Sequence, residues 1–180
     1  FNAQLLAEET PADDEIVLTS GKSYSNVFHA NGGSASFSVM ANTLRGVYGT
    51  DVLLATANSF TGSVLQADYN KKMAASMIMP NGLMSRQRTM TGAELKETVR
   101  AFVEGCEGGF VPFNRGSLPV VSGIAVEVKE AGGSYTLTGI TRNGQPLRDD
   151  DTVTVTCLAA ENQMEALLAS ESGRSLDGDT

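Results

Sequence analysis

The side chains that could do chemistry are few, and each has a plain reading. The chain holds one histidine. His29 is flanked by Ser, Asn and Gly, with no carboxylate at ligand spacing. A zinc site needs three or four ligands, so His29 reads as an ordinary surface or core residue. Cys106 and Cys157 are too few and too far apart for a zinc knuckle or a disulfide framework. They read as two buried thiols, with a disulfide between them as the alternative. Asp149-Asp150-Asp151 offers three carboxylates but neither EF-hand spacing nor a distal Glu, so it reads as a solvated turn. Gly108-Gly109 lacks the Lys and the following helix of a phosphate loop. No Gly-x-Ser-x-Gly elbow, Cys/His pair or Walker loop is present. Arg86 and Arg88 flank Gln87, so on a strand both face one way. They are the cations placed to meet an anion, if the domain has an anion-binding cleft. Met73, Met77, Met79, Met84 and Met90 cluster in one stretch. They read as core packing, with a flexible ligand surface as the alternative.

The elements that must position these residues follow from periodicity. Glu15 to Thr19 predicts a short strand ended by Gly21, and Asn31-Gly32-Gly33-Ser34 a turn. Phe37, Met40, Ala41, Leu44 and Val47 recur at helical spacing, with Ser34 or Ser36 as the cap and Gly49 as the stop. Asp51 to Ala57 is apolar on both faces and predicts a fully buried strand. A loop spans Asn58 to Gln66. Asp68 is expected to cap a short helix through Met73, Ala74 and Met77, broken at Pro80-Asn81-Gly82. Leu83 to Met90 predicts a strand. Thr91 and Glu94 form a capping box, in which hydroxyl and carboxylate each take a backbone N–H of the other residue. Leu95, Val99, Phe102 and Val103 then make one apolar stripe, ended by Gly105. Gly105 to Pro119 reads as a long loop. Ile124, Val126 and Val128 alternate as a strand, as do Tyr135, Leu137 and Ile140. Asn143-Gly144 predicts a type I′ hairpin. Val153, Val155 and Cys157 predict another strand, and Asn162 to Ala169 a short helix. Helices and strands mingle, so the class is α/β or α+β with a mixed sheet.

Composition limits the rest. The 180 residues suit one domain with a sizeable core, or at most two small ones. Apolar residues are 41% and charged residues 19%, which is globular composition. Net charge is −8, from 13 basic and 21 acidic residues. An acidic chain without a basic patch is a poor partner for nucleic acid or anionic membrane. No run approaches the roughly 20 apolar residues of a membrane span. No leader is visible and the chain begins at Phe1, so a processed or cloned fragment is expected.

Three pieces in order carry a resemblance. Met90-Thr91-Gly92-Ala93-Glu94-Leu95-Lys96, then Val121-Ser122-Gly123, then Asn143-Gly144-Gln145-Pro146-Leu147 resemble the C-terminal domain of the 5′-nucleotidase family. Ser36 to Arg45, followed by Asp51-Val52, is similar to the family's opening helix and strand. The match runs from about Ser34 to about Ala160. It implies an α+β (mixed α/β) fold, a mixed sheet with packed helices. Residues 1–14 would be a flexible lead-in, 15–170 a single domain and 171–180 a polar tail. It also implies an extracytoplasmic protein: secreted, cell-surface or periplasmic. In the family this domain grips the nucleotide, and a metallophosphoesterase domain of the same chain holds divalent metals. No cofactor is expected in this domain itself, and no metal ligands.

The residues that resemblance places in the substrate cleft are Asn58, Ser63, Leu83, Leu118 and Asn162. Most depart from the family's pattern. In asn-gly-gly-x-x-arg the arginine meets phosphate, a task its forked guanidinium suits. Asn58 is kept, but Ser63 stands for the arginine. In pro-phe-gly-asn the asparagine position is Leu83. The aromatic ahead of Val-Ser-Gly is Leu118, with Phe110 and Phe113 displaced from it. The gly-gly-asp-gly-phe run is replaced by Ala159 to Met164, without an aromatic. The expected function is therefore a non-catalytic domain of a nucleotidase-like hydrolase whose nucleotide clamp is degenerate. The alternative is a ligand-binding or scaffolding domain of a cell-surface protein, with an unknown small-molecule ligand.

Overall fold

A computed structural model describes residues 15–25, 33–77, 83–104 and 119–160. Its centre is a four-stranded sheet in the order β4 (Leu83–Thr91), β9 (Thr152–Ala160), β2 (Val52–Thr56), β5 (Pro119–Ser122). β2 and β9 run parallel, and the two outer strands are antiparallel to them. All five residues of β2 are buried. Alternation explains why: Val52 and Leu54 enter one core, Leu53 and Ala55 the other.

Each face has its own cover. Helix α1 (Ala35–Tyr48) brings Phe37, Met40 and Ala41 to one face. Helix α3 (Gly92–Glu104) brings Leu95, Val99 and Val103 to the other. A second sheet of β6 (Ala125–Ala131), β7 (Ser134–Arg142) and β8 (Gln145–Pro146) joins the α3 side through Ile140, Val126, Tyr135 and Leu137. A two-stranded sheet of β1 (Ile16–Ser20) and β3 (Ala67–Asn70), followed by short helix α2 (Lys71–Ser76), supports the α1 side through Leu18 and Tyr69. The class is α+β with mixed sheets.

Local chemistry sets the helix ends. Ser34 Oγ accepts from the Phe37 amide at 3.3 Å, and Gly49 closes α1 in the left-handed conformation at φ 66°. The capping box of α3 is complete: the Glu94 amide donates to Thr91 Oγ1 at 3.2 Å and the Thr91 amide to Glu94 Oε2 at 2.7 Å. Asn143 and Gly144 have φ of 53° and 76°, the pair of positive values a type I′ hairpin needs.

Three expectations are corrected. Asp68 does not cap α2. It lies in β3 and accepts from Thr19 Oγ1 at 2.7 Å, while Asn70 Oδ1 takes the Met73 amide at 2.8 Å. Pairing with β1 consumes residues 67–70, so the cap falls at the strand's last residue. Second, Pro119–Ser122 is a strand in its own right, too short to show a period. Gly123, at φ 87°, turns it into β6. Third, β6 does not alternate cleanly, because its pairing with β7 slips between Glu127 and Val128 and leaves Val128 exposed. His29, Cys106, Pro80-Asn81-Gly82, the 105–118 stretch, the 162–169 helix, the lead-in and the polar tail lie outside the described residues.

The motif pieces meet in space. The Gly92 amide donates to Asp151 O at 2.7 Å and the Ala93 amide to Asp149 O at 3.2 Å. A Cβ on Gly92 would stand 1.9 Å from Arg148 O. A Cβ on Gly123 would stand 2.0 Å from Asp51 O. Both glycines are required by close backbone approach.

Candidate functional site

Strand directions define one end of the central sheet. The carboxyl ends of β2 and β9 lie beside the starts of β4 and β5, with Thr56 opposite Pro119 and Leu83 opposite Ala160. In open sheets flanked by helices, ligands sit beyond the carboxyl ends of strands. Asn58 leaves β2 here in a single 3₁₀ turn, Ala57–Ser59. Leu83 opens β4 at the same end. Ser63 is half-buried in the loop that follows the turn. Leu118 and Asn162 lie outside the described residues. Of the chain positions of the resemblance, the described Asn58 and Leu83 thus lie at this end of the sheet.

The loop from Ala57 to Gln66 is bonded inward. Ser59 is fully buried and donates to Leu158 O at 3.0 Å, so the Thr56 hydroxyl 3.2 Å away donates to it. Phe60 is only 4% exposed, and its ring lies 5.6 Å from that of Phe37, centroid to centroid. The Thr61 amide and hydroxyl donate to Met77 O and Ser76 O, each at 2.8 Å. The Val64 amide donates to Ser36 Oγ at 2.7 Å, the Leu65 amide to the Tyr69 hydroxyl at 2.5 Å and the Gln66 amide to Ser23 Oγ at 3.0 Å. A loop that cradles an anion presents its amides outward. Here five of the loop's amides are bonded within the domain, and its one aromatic ring is buried there. The helical stripe that supplies Phe37 is visible in the sequence, but no local pattern marks this use of Phe60.

The other chemistry-bearing residues are dispersed. Arg86 and Arg88 share one face of β4, as their spacing requires, with Arg86 exposed and Arg88 half-buried. They stand in mid-strand opposite Cys157 and Val155, away from the loop end. Cys157 is a free, buried thiol, and burial pushes it up to about 11. Asp149 takes Lys96 Nζ at 2.6 Å, and Asp151 takes Arg148 Nη2 at 2.9 Å and Nε at 3.1 Å. The aspartate run is a turn tied by ion pairs. Met90 and Met77 enter the cores on opposite faces of the sheet, while Met73 is exposed. No group of three or more His, Cys, Asp or Glu among the described residues is arranged to hold a metal.

At the far end of the sheet Asp51 ties four segments together. Its Oδ2 accepts from the Thr154 amide and hydroxyl, each at 2.9 Å, and its Oδ1 pairs with Arg142 of β7. Its own amide donates to Thr154 Oγ1 at 2.9 Å, and its carbonyl meets Gly123. The Thr154 amide holds the Asp51 carboxyl below its ordinary range, against an opposing push from burial. Nearby, Arg45 Nε donates to Ser122 Oγ at 2.9 Å, which donates to Asn42 Oδ1 at 2.5 Å. These bonds explain the Asp-Val and Val-Ser-Gly pieces as joints of the scaffold.

No protein-family model matches the sequence. No curated protein matches it either. Solved structures do match. An NAD nucleotidase from Haemophilus influenzae superposes with TM-score 0.67 at 18% identity, over 94% of this chain and 32% of that one. A 5′-nucleotidase precursor from Thermus thermophilus gives 0.62 at 13%, over 96% and 36%. A sulfate thiohydrolase, also from Thermus thermophilus, gives 0.60 at 13%, over 91% and 30%. The chain spans about a third of the length of these structures. It therefore has the fold of one α+β part of 5′-nucleotidase-type hydrolases, as the motif pieces implied.

Proposed function

We propose that this chain is the C-terminal, non-catalytic domain of an extracytoplasmic 5′-nucleotidase-like metallophosphoesterase, and that its nucleotide clamp is degenerate. The carrying observation is the inward bonding of the loop from Ala57 to Gln66. Phe60 is buried against Phe37, and five of the amides around it already have partners. A nucleotide needs a ring to stack on and a cation for phosphate. Ser63 and Leu83 supply neither, and in the sequence neither do Leu118 and Asn162. The match to a third of larger hydrolases supports a partner domain in the same chain, which would hold the divalent metals. This domain itself takes no cofactor, and the extracytoplasmic setting rests on the resemblance.

The second reading is a binding or scaffolding domain of a cell-surface protein that recognises another ligand. The fold also occurs in a protein named for sulfate thiohydrolysis, so it is not tied to nucleotides. Calorimetric titration with AMP, adenosine and UDP-sugars tests the clamp. No binding is expected at micromolar concentration, and micromolar affinity would overturn the claim of decay. A phosphatase assay with added Mn²⁺ or Zn²⁺ is expected to stay at background, and real turnover would overturn the domain assignment. The full-length reading frame separates the two readings, since only the first requires a metallophosphoesterase ligand set upstream.

A further inference from the structure

β4 is an outer strand of the central sheet. Its inner side pairs with β9 at nine successive positions, from Leu83 opposite Ala160 to Thr91 opposite Thr152, without a register slip. Among the described residues no strand lies along its outer side. Its middle is also open on both faces, with Ser85, Arg86, Gln87 and Thr89 exposed. The other outer strand, β5, is four residues long and buries alternate side chains.

Long open edges invite pairing, and proteins blunt them with bulges, prolines, short strands or charge. β4 has nine residues, an unbroken register and no proline. What it has is charge. If two copies paired antiparallel about Gln87, Arg86 of each would face Arg88 of the other. Centring the pair on Arg86 instead sets Arg86 against itself. Like charges directly opposite are destabilising, so this edge rejects its own copy. The same charge attracts a strand bearing carboxylates, and does so on a chain whose net charge of −8 otherwise repels acid. A guanidinium also matches a carboxylate with two parallel bonds.

We propose that the outer edge of β4 receives an extended acidic peptide by backbone pairing, with exposed Arg86 facing a carboxylate of the added strand. Residues Ser85 to Thr89 give the backbone ladder, and Arg86 gives the selectivity. A segment of about seven residues covers this stretch at about 3.4 Å per residue. The proposal is independent of the nucleotide reading, because it uses an edge rather than the loop end of the sheet.

The test uses two heptapeptides of threonine and valine, one with glutamate and one with lysine at the third and fifth positions. Each is titrated at low salt into the isotopically labelled chain, following backbone amide shifts. The glutamate peptide is expected to move the Ser85 to Thr89 amides saturably and to slow their hydrogen exchange, and added salt should weaken it. The lysine peptide should leave them unmoved. Arg86→Glu should weaken the glutamate peptide about five- to tenfold and admit the lysine peptide, with the rest of the spectrum unchanged. Failure of the glutamate peptide to move β4 overturns the proposal. So does equal binding of both peptides, or unchanged binding by the variant.

Discussion

Replacing Gly92 by alanine sets helix propensity against packing. In an ordinary helix the change stabilises by up to about 1 kcal/mol. At Gly92 the new Cβ would lie 1.9 Å from Arg148 O, where real contacts stay beyond 3.0 Å. The turn from Arg148 to Asp151 must retreat by roughly an ångström. That retreat stretches the bonds from the Gly92 amide to Asp151 O and from the Ala93 amide to Asp149 O. Each contributes about 1 kcal/mol, and overpacking costs about 1–3 kcal/mol more. After the helical gain, the net loss is about 2–4 kcal/mol, or a Tm lower by roughly 5–15 °C for a domain of this size. Gly46 is the matched control. It lies in α1 with nothing within 4 Å of an added methyl, so Gly46→Ala is expected to raise stability by about 0.5–1 kcal/mol. Urea unfolding followed by circular dichroism measures both. Gly92→Ala at or above parental stability would refute the close approach, and two effects of the same sign would refute the packing argument as a whole.

Phe60→Ala should cost about 3–5 kcal/mol in urea unfolding, since the ring is core; a ring free to meet ligand would leave stability within about 0.5 kcal/mol. Asp51 has a folded pKa below its ordinary 3.8, so the stability it contributes is present above that value and lost as pH falls through the lower folded value. Asp51→Asn is therefore expected to be less stable at pH 7, by about 1–3 kcal/mol, because Thr154 and Arg142 lose a charged acceptor. The gap between variant and parent should shrink below pH 3.8, and a gap that stays constant with pH counts against the assignment. Cys157, buried and with its thiol at about 11, should resist iodoacetamide at pH 8 until denaturant is added. Peptide mapping reads this, and labelling of position 157 in the native protein contradicts its burial.

Elements with a complete local signal were legible. The α3 start needed only Thr91 and Glu94, three residues apart, and the Asn143-Gly144 turn needed only two residues that accept positive φ. β2 was legible because its apolar residues, Val52 to Ala55, occupy both faces. β5 was not, because four residues are too few to show a period. The cap of α2 was misplaced because both Asp68 and Asn70 can cap, and the pairing of β3 with β1 decided between them.

The sequence by itself determined the periodic elements, their caps and the order of motif pieces that implied this fold. Those signals lie within a few residues of one another, where backbone geometry and side-chain spacing act directly. Only the tertiary structure decided what the pieces are for. Gly92 and Gly123 are required by Arg148 and Asp51, which are distant in sequence and meet only when strands pair. Only the parallel pairing of β2 with β9 brings the positions around Asn58 and Leu83 to one end of the sheet. And Phe60, in a loop where an aromatic suits a ligand as well as a core, was committed to the core by Phe37 on a different element. A pairwise contact between remote residues leaves no local pattern in the chain, so it becomes visible only once the chain has folded.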